Sequence, residues 1–217
     1  MNLASRTVDE KGSDVMNPTV MQKLSYGLFV LTARDGDKDN GCIVNTVTQV
    51  ANEPNTISIS VNKSNYTHDM IMKTGKFNVS ILNEKAVFGT FKHFGFQSGR
   101  DTDKFEAVEI SRASNGVAVV QTEETNAYIS GQVIQSIDLG SHTLFIASVE
   151  GGEVFNDTPS ATYAYYFANI KPKPEVKSEI KKGWICTICG YIYEGNILPD
   201  DFICPVCKHP ASDFKQL

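Results

Sequence analysis

Four of the five cysteines stand as two C-x-x-C pairs, Cys186 with Cys189 and Cys204 with Cys207, while Cys42 stands alone far upstream. An odd count of cysteines in this pattern is not a disulfide framework. Each pair instead supplies two thiolates that grip one face of a tetrahedral ion, and the usual occupants of such a cage are zinc and iron. Fourteen residues separate Cys189 from Cys204, slightly fewer than in the usual zinc ribbon, so spacing does not choose the metal. On the cysteines alone, a zinc ribbon that staples a small fold is the commoner case.

The flanking residues shift that balance. The segments C-T-I-C-G-Y-I-Y-E-G and L-P-D-D-F-I-C-P-V-C, with Phe214 near the end, resemble rubredoxin in the short-loop form found at the end of rubrerythrins. The resemblance implies one iron held by Cys186, Cys189, Cys204 and Cys207. Glycine after the second cysteine, Gly190, permits positive φ and lets backbone N–H groups point at thiolate sulfur, which tunes an iron site. Trp184, Tyr191, Tyr193, Phe202 and Phe214 are the expected aromatic core, although any one of them singly is ordinary packing.

A chain of 217 residues, 41% hydrophobic and 21% charged, accommodates one large domain and a small one. The expected division is a polar extension over residues 1–14, a large domain over 15–170, a linker over 171–183 and the cysteine domain over 184–217. The linker carries K-P-K-P and sets five lysines against two glutamates. A stiff stretch of that kind extends at about 3.1 Å per residue. The opening residues are polar, with no charged-then-apolar leader, and no apolar run approaches the roughly 20 residues that span a bilayer. The chain is therefore expected to be cytoplasmic, with no membrane partner. Its net charge of −5 argues against a nucleic-acid partner, because a phosphate backbone calls for a basic face.

Upstream of the linker the pattern is largely β. GLFVLTAR, CIVNTVTQVA, NTISISVN, KFNVSIL, GVAVV, NAYISGQVIQSID and HTLFIASVEGGEVF are short, rich in Val, Ile, Thr and Phe, and bounded by turn residues. Ile57, Ile59 and Val61 alternate with Ser58, Ser60 and Asn62, which puts the apolar side chains on one face. Helices are expected after Asn17-Pro18, over Tyr66 to Thr74 with a stop at Gly75, and over Lys85 to Phe94. Seven strands with few helices suggest a mainly β barrel with helical decoration rather than a doubly wound sheet.

The stretch NKSNYTHD, Asn62 to Asp69, follows a strand and opens a helix. Free N–H groups at a helix start attract anions, and Lys63, Ser64, Asn65 and Thr67 add a cation and polar donors. An ordinary N-cap beside a surface lysine has the same residues. Neither G-x-G-x-x-G nor G-x-x-x-x-G-K-[ST] occurs, which disfavours a Rossmann dinucleotide fold and a P-loop.

SYGLFVLT, NTVTQV, SVNKSNYTHD, GKFNVSIL, FGFQSGRDTDKF and GSHTLF together resemble the flavin reductase-like FMN-binding family of split barrels. That resemblance implies FMN in a groove at a homodimer interface, reduced by NADH or NADPH. It implies that Asn45, Thr46, Val47, Thr48 and Gln49 line the isoalloxazine ring and that Lys63, Ser64, Asn65 and Thr67 hold the phosphate. Ser98, Gly99, Arg100 and Lys104 would form a loop over the cofactor. His142 matches a histidine that the family places near the nicotinamide, within a G-D-H pattern whose acidic residue is here Ser141. The competing readings are an exposed strand at 45–49, a solvated charged loop at 100–104, surface histidines at 68 and 93, and a packed strand residue at Cys42.

The fusion of the two domains resembles the high-molecular-weight rubredoxins of anaerobes. It implies a relay from NAD(P)H through FMN and iron to a redox partner protein, such as a flavodiiron enzyme that reduces oxygen or nitric oxide. The alternatives are an electron carrier reduced by a separate reductase, with no nucleotide site of its own, and a flavin domain bearing a structural zinc knob.

Overall fold

The alternation of Ile57, Ile59 and Val61 with polar neighbours sets the layout of the large domain. All three are buried in one cluster with Leu31, Val79, Phe77 and Phe145, contributed by several strands. The computed structural model describes residues 18–106, 110–172, 183–188, 190–205 and 209–217. The expected extension over 1–14, the cap at Asn17, most of the linker, Cys189 and Cys207 lie outside the described residues.

The chain runs through β1 (Phe29–Asp35), β2 (Lys38–Val44), β3 (Val47–Asn52), β4 (Asn55–Asn62), α1 (Tyr66–Thr74), β5 (Lys76–Leu82) and α2 (Phe88–Gly95). Short β6 (Ser111–Arg112) and β7 (Ala118–Val119) precede the long hairpin of β8 (Thr125–Asp138) and β9 (His142–Val154). The seven-stranded sheet has the order β2-β1-β5-β8-β9-β4-β3, and every pairing in it is antiparallel. Side chains alternate across it. Leu31 and Ala33 join the cluster of Ile59 and Phe145, whereas Val30 joins a second one with Leu82, Phe91 and Phe94 of α2 and Tyr166. The fold is therefore the mainly β, sparsely helical architecture expected, with β2 and β3 at the two ends of the strand order.

Two of the expected strands differ. CIVNTVTQVA is not one strand, because it breaks at Asn45 and Thr46 into β2 and β3. GVAVV contributes only Ala118 and Val119, and these pair with β6 in a separate ribbon. Helix α1 has the expected span and ends at Gly75, whose φ of 68° suits a left-handed cap and whose N–H bonds Ile71 O. Residues Pro18–Lys23 form a 3₁₀ helix. After β9 a helical turn, Tyr163–Tyr165, runs into a π-helix, Tyr166–Ile170.

The C-terminal unit is a three-stranded sheet ordered β11 (Ile192–Tyr193), β10 (Trp184–Cys186), β12 (Phe214–Gln216). Trp184, Tyr191, Tyr193 and Phe202 pack on Cys186, Cys204 and Phe214, which is the expected aromatic core. Among the described residues no helix is long and apolar enough to cross a membrane.

Candidate functional site

The break between β2 and β3 is where the site begins. Thr46 Oγ1 donates to Ser60 O at 2.9 Å, so a side chain replaces the ladder bonds that a continuous strand would have made. The corner, β4 and the tip of the β8–β9 hairpin enclose a groove of about 350 Å³ lined by Asn45, Thr46, Ser60, Asn62, Asn65 and His142, among others. His142 opens β9 opposite Asn62. Its Nδ1 lies 2.9 Å from Ser141 Oγ. The residue that replaces the expected acid therefore still fixes the ring, through a hydroxyl instead of a carboxylate.

A second cavity of about 360 Å³ adjoins the first through their common wall, Asn65, and takes in Ser64, Thr67, Ser98, Gly99, Arg100 and Lys104. Three features fit it to an anionic, hydrogen-bonding group. Asn65 caps α1 with no side-chain hydrogen bond, so the N–H groups of the first turn keep their affinity for negative charge. Asn40 is buried, its Nδ2 donates to Thr67 Oγ1 at 2.9 Å, and its Oδ1 has no partner among the described residues. A buried polar atom left in that state is costly unless a ligand or water completes it. Gly99 lets the loop close onto Asn40, since a Cβ there would lie 1.9 Å from Asn40 Oδ1.

Arg100 is tied across this cavity to α1. Its guanidinium pairs with Asp69 and lies 4.9 Å from the centre of the Tyr66 ring. Arg100, and then His68, hold the Asp69 carboxyl below its usual pKa. Lys104 has a different role. It is only 3% exposed, and its ammonium donates to Gly41 O and Phe94 O at 2.8 Å each. Burial lowers its pKa, and the side chain staples β2 to α2 beneath the loop.

The other candidates divide. Ser64 caps locally, its N–H and hydroxyl both bonding Asn62 Oδ1 at 2.9 Å. Lys63 lines neither cavity; its Nζ lies 2.6 Å from Asp138 Oδ1 on the hairpin. Val47 and Gln49 face a separate apolar hollow of about 770 Å³, bounded by Ile81, Ala127 and the end of β9. Thr48 is exposed opposite Ser58. His68 is buried rather than superficial, with Nε2 2.9 Å from Thr143 Oγ1. Half-buried His93 bonds the Lys104 carbonyl. Cys42 is packed in the core as expected, and burial raises its thiol pKa. Asn40 is the residue that sequence reasoning missed; it falls between the expected strands GLFVLTAR and CIVNTVTQVA, with no motif to flag it.

In the C-terminal unit, Cys186 and Cys204 are 1% and 0% exposed. Gly190 has φ of 82° and donates to Cys186 O at 2.9 Å, closing the first turn as its position after the cysteine pair requires. Cys204 N–H bonds His209 O at 2.8 Å across the second. Two buried thiol-bearing residues in a small aromatic core suit a thiolate metal site.

Comparison with known proteins matches both parts of the chain to known families. Residues 21–173 match the flavin reductase like domain, and residues 184–215 match the rubrerythrin, rubredoxin-like domain. A high molecular weight rubredoxin from Moorella thermoacetica is 32% identical over 93% of this chain and all of its own. A ferric-chelate reductase (NAD(P)H) from Archaeoglobus fulgidus is 34% identical over 73% of this chain and 93% of its own. The crystal structure of an FMN-binding protein from Thermus thermophilus superposes with a TM-score of 0.59 at 20% identity, over 69% of this chain and 80% of that one. With a flavin-binding barrel and a rubredoxin-like iron domain on one chain, the protein belongs to the flavin reductase-like family, in the two-domain form of the high molecular weight rubredoxins.

Proposed function

We propose that the chain oxidises NAD(P)H at FMN held in the two joined cavities and passes the electrons through the four-cysteine iron site to a redox protein. A flavodiiron enzyme that reduces oxygen or nitric oxide is the proposed acceptor. The observation that carries the flavin half is the junction at Asn65. On one side the uncapped start of α1, the incomplete Asn40 amide and Arg100 suit a terminal phosphate. On the other, Asn45, Thr46 and His142 line a groove beside it.

Flavin, when bound, takes two electrons as hydride and releases them singly, while a lone iron accepts one, so the pair matches a two-electron donor to a one-electron carrier. The residues do the rest. The α1 N-terminus and Arg100 bind the phosphate. Thr46 holds the corner that presents Asn45 to the ring. His142, oriented by Ser141, positions the nicotinamide. Cys189 and Cys207 complete the metal cage with Cys186 and Cys204. A homodimer belongs to this reading, and the apolar hollow beside Val47 and Gln49 is a surface that a second copy would cover.

Cytoplasmic location is part of the proposal. The test is flavin and metal quantification with anaerobic titration by NADH and by NADPH. One flavin and one iron per chain, with the flavin reduced by a nucleotide, is the expected result. Flavin that neither nucleotide reduces would leave an electron carrier served by a separate reductase. Zinc in place of iron, in protein from iron-replete cells, would remove the relay.

A further inference from the structure

The π-helix after the barrel presents an aromatic platform whose role the flavin site does not explain. Tyr166 anchors it, 6% exposed, with its ring centre 4.5 Å from that of Phe91. Phe167, one residue on, is 45% exposed although large and apolar. Tyr163 meets it edge-on at 4.8 Å. A π-helix is rare and is found frequently at functional positions, and here one aromatic ring is turned inward and the next outward.

The cysteine domain lies against this platform. A hollow of about 250 Å³ is lined from the barrel by Asn45, Phe96, Tyr163 and Phe167, and from the cysteine domain by Ile188 and His209. Lys171 spans the two. Its ammonium lies 4.9 Å from the centre of the Phe167 ring and donates to Thr187 O. Thr187 and Ile188 are the two residues between Cys186 and Cys189, and His209 accepts the Cys204 N–H. The facing edge is therefore the metal-binding edge itself. Asn45 lines both this hollow and the groove that holds His142, so the cysteine edge stands beside the expected flavin ring.

From these contacts we infer that Tyr163, Phe167 and Lys171 form a docking platform on which the chain's own cysteine domain seats Thr187, Ile188 and His209, next to Asn45. The platform makes electron delivery an event within one subunit. The inference rests on the proposed function for its purpose, but the docking stands on the contacts alone. It also predicts what the lysine-rich linker does not. Salt weakens attraction between separated surface charges, whereas the contacts of this seat include two rings, an isoleucine and a lysine–carbonyl bond. Docking should therefore survive salt that would release a purely electrostatic tether.

The test uses the full chain carrying flavin and iron, in the wild type, in Lys171→Ala and in the double variant Phe167→Ala with Lys171→Ala. Small-angle scattering reads the docking without any activity. The double variant should give a larger maximum dimension, with Lys171→Ala between it and the wild type. Rapid mixing of the double variant with nucleotide should show flavin reduction at the wild-type rate and iron bleaching at least tenfold slower, whereas Lys171→Arg alone should keep most of the wild-type bleaching rate. Unchanged scattering and unchanged bleaching in the double variant would overturn the platform. If wild-type flavin is not reduced by either nucleotide, the proposed function fails, and scattering still decides the docking.

Discussion

The barrel and the cysteine domain hold themselves together by different means. The barrel buries two clusters of apolar side chains, with Phe77, Phe145, Leu31 and Ile59 essentially inaccessible to water. The C-terminal unit buries Cys186, Cys204 and Phe214, and the rings around them are only partly covered. Two of those three buried residues are cysteines of the proposed metal site, so its core is largely the place where a metal would bind. A unit below about 40 residues rarely buries enough apolar surface to fold without a metal or cross-link. One half of the molecule should thus be indifferent to metal and the other dependent on it.

Removing the metal is the strongest way to break that contrast. Trp184 is the single tryptophan and belongs to the small domain. Chelation, or Cys204→Ser, should shift its fluorescence to that of an exposed indole while the far-ultraviolet signal of the barrel persists. Joint loss of both signals would mean that the two halves fold as one unit.

Phe145→Ala probes the other half. Emptying a fully buried aromatic site costs about 3–5 kcal/mol, so thermal unfolding of the barrel should fall by many degrees without moving the Trp184 signal.

At the cofactor site the expected effects are smaller. Arg100→Ala removes the exposed cation that lines the cavity proposed for the phosphate and should weaken FMN binding by about 1.5–3 kcal/mol. Lys63→Ala should do much less, because that ammonium is turned to Asp138. The reverse order, read by flavin titration, would move the phosphate towards the hairpin. His142→Ala should slow flavin reduction by nucleotide more than it alters FMN affinity, and Ser141→Ala should do the same more weakly. Equal rates would leave His142 as a surface residue.

The least expected effect is on pH. Arg100 lowers the folded pKa of Asp69, so the pair contributes stability above the unfolded carboxylate range, and that contribution is lost as pH falls through the depressed folded value. The pair is exposed and is worth about 0.2–1 kcal/mol. Asp69→Asn should abolish a slight loosening of flavin in strong acid, below the ordinary carboxylate range, measurable by fluorescence release.

The rubredoxin-like domain and most strands were legible because they depend on local pattern: cysteine spacing, glycine after a knuckle, and alternation such as Ile57, Ile59 and Val61. What was not legible depends on contacts far apart in sequence. The corner at Asn45 and Thr46 reads as continuous strand because its distinguishing bond goes to Ser60. Lys63 and Lys104 look equivalent as cations beside a phosphate site, yet Asp138 claims one and two backbone carbonyls bury the other. His68 has the look of a helix-surface residue until Thr143, on β9, receives it. Val47 and Gln49 follow Asn45 in one motif, but the break sends them to another face.

The central claim is that electrons leave the flavin through the iron. Anaerobic rapid mixing of the full chain, loaded with flavin and iron, against NADH or NADPH tests it most directly when the flavin and iron absorbances are followed together. The account predicts flavin bleaching first and iron bleaching after it, at a rate independent of protein concentration. Flavin that is fully reduced beside iron that stays ferric, or that bleaches only in proportion to protein concentration, would contradict it.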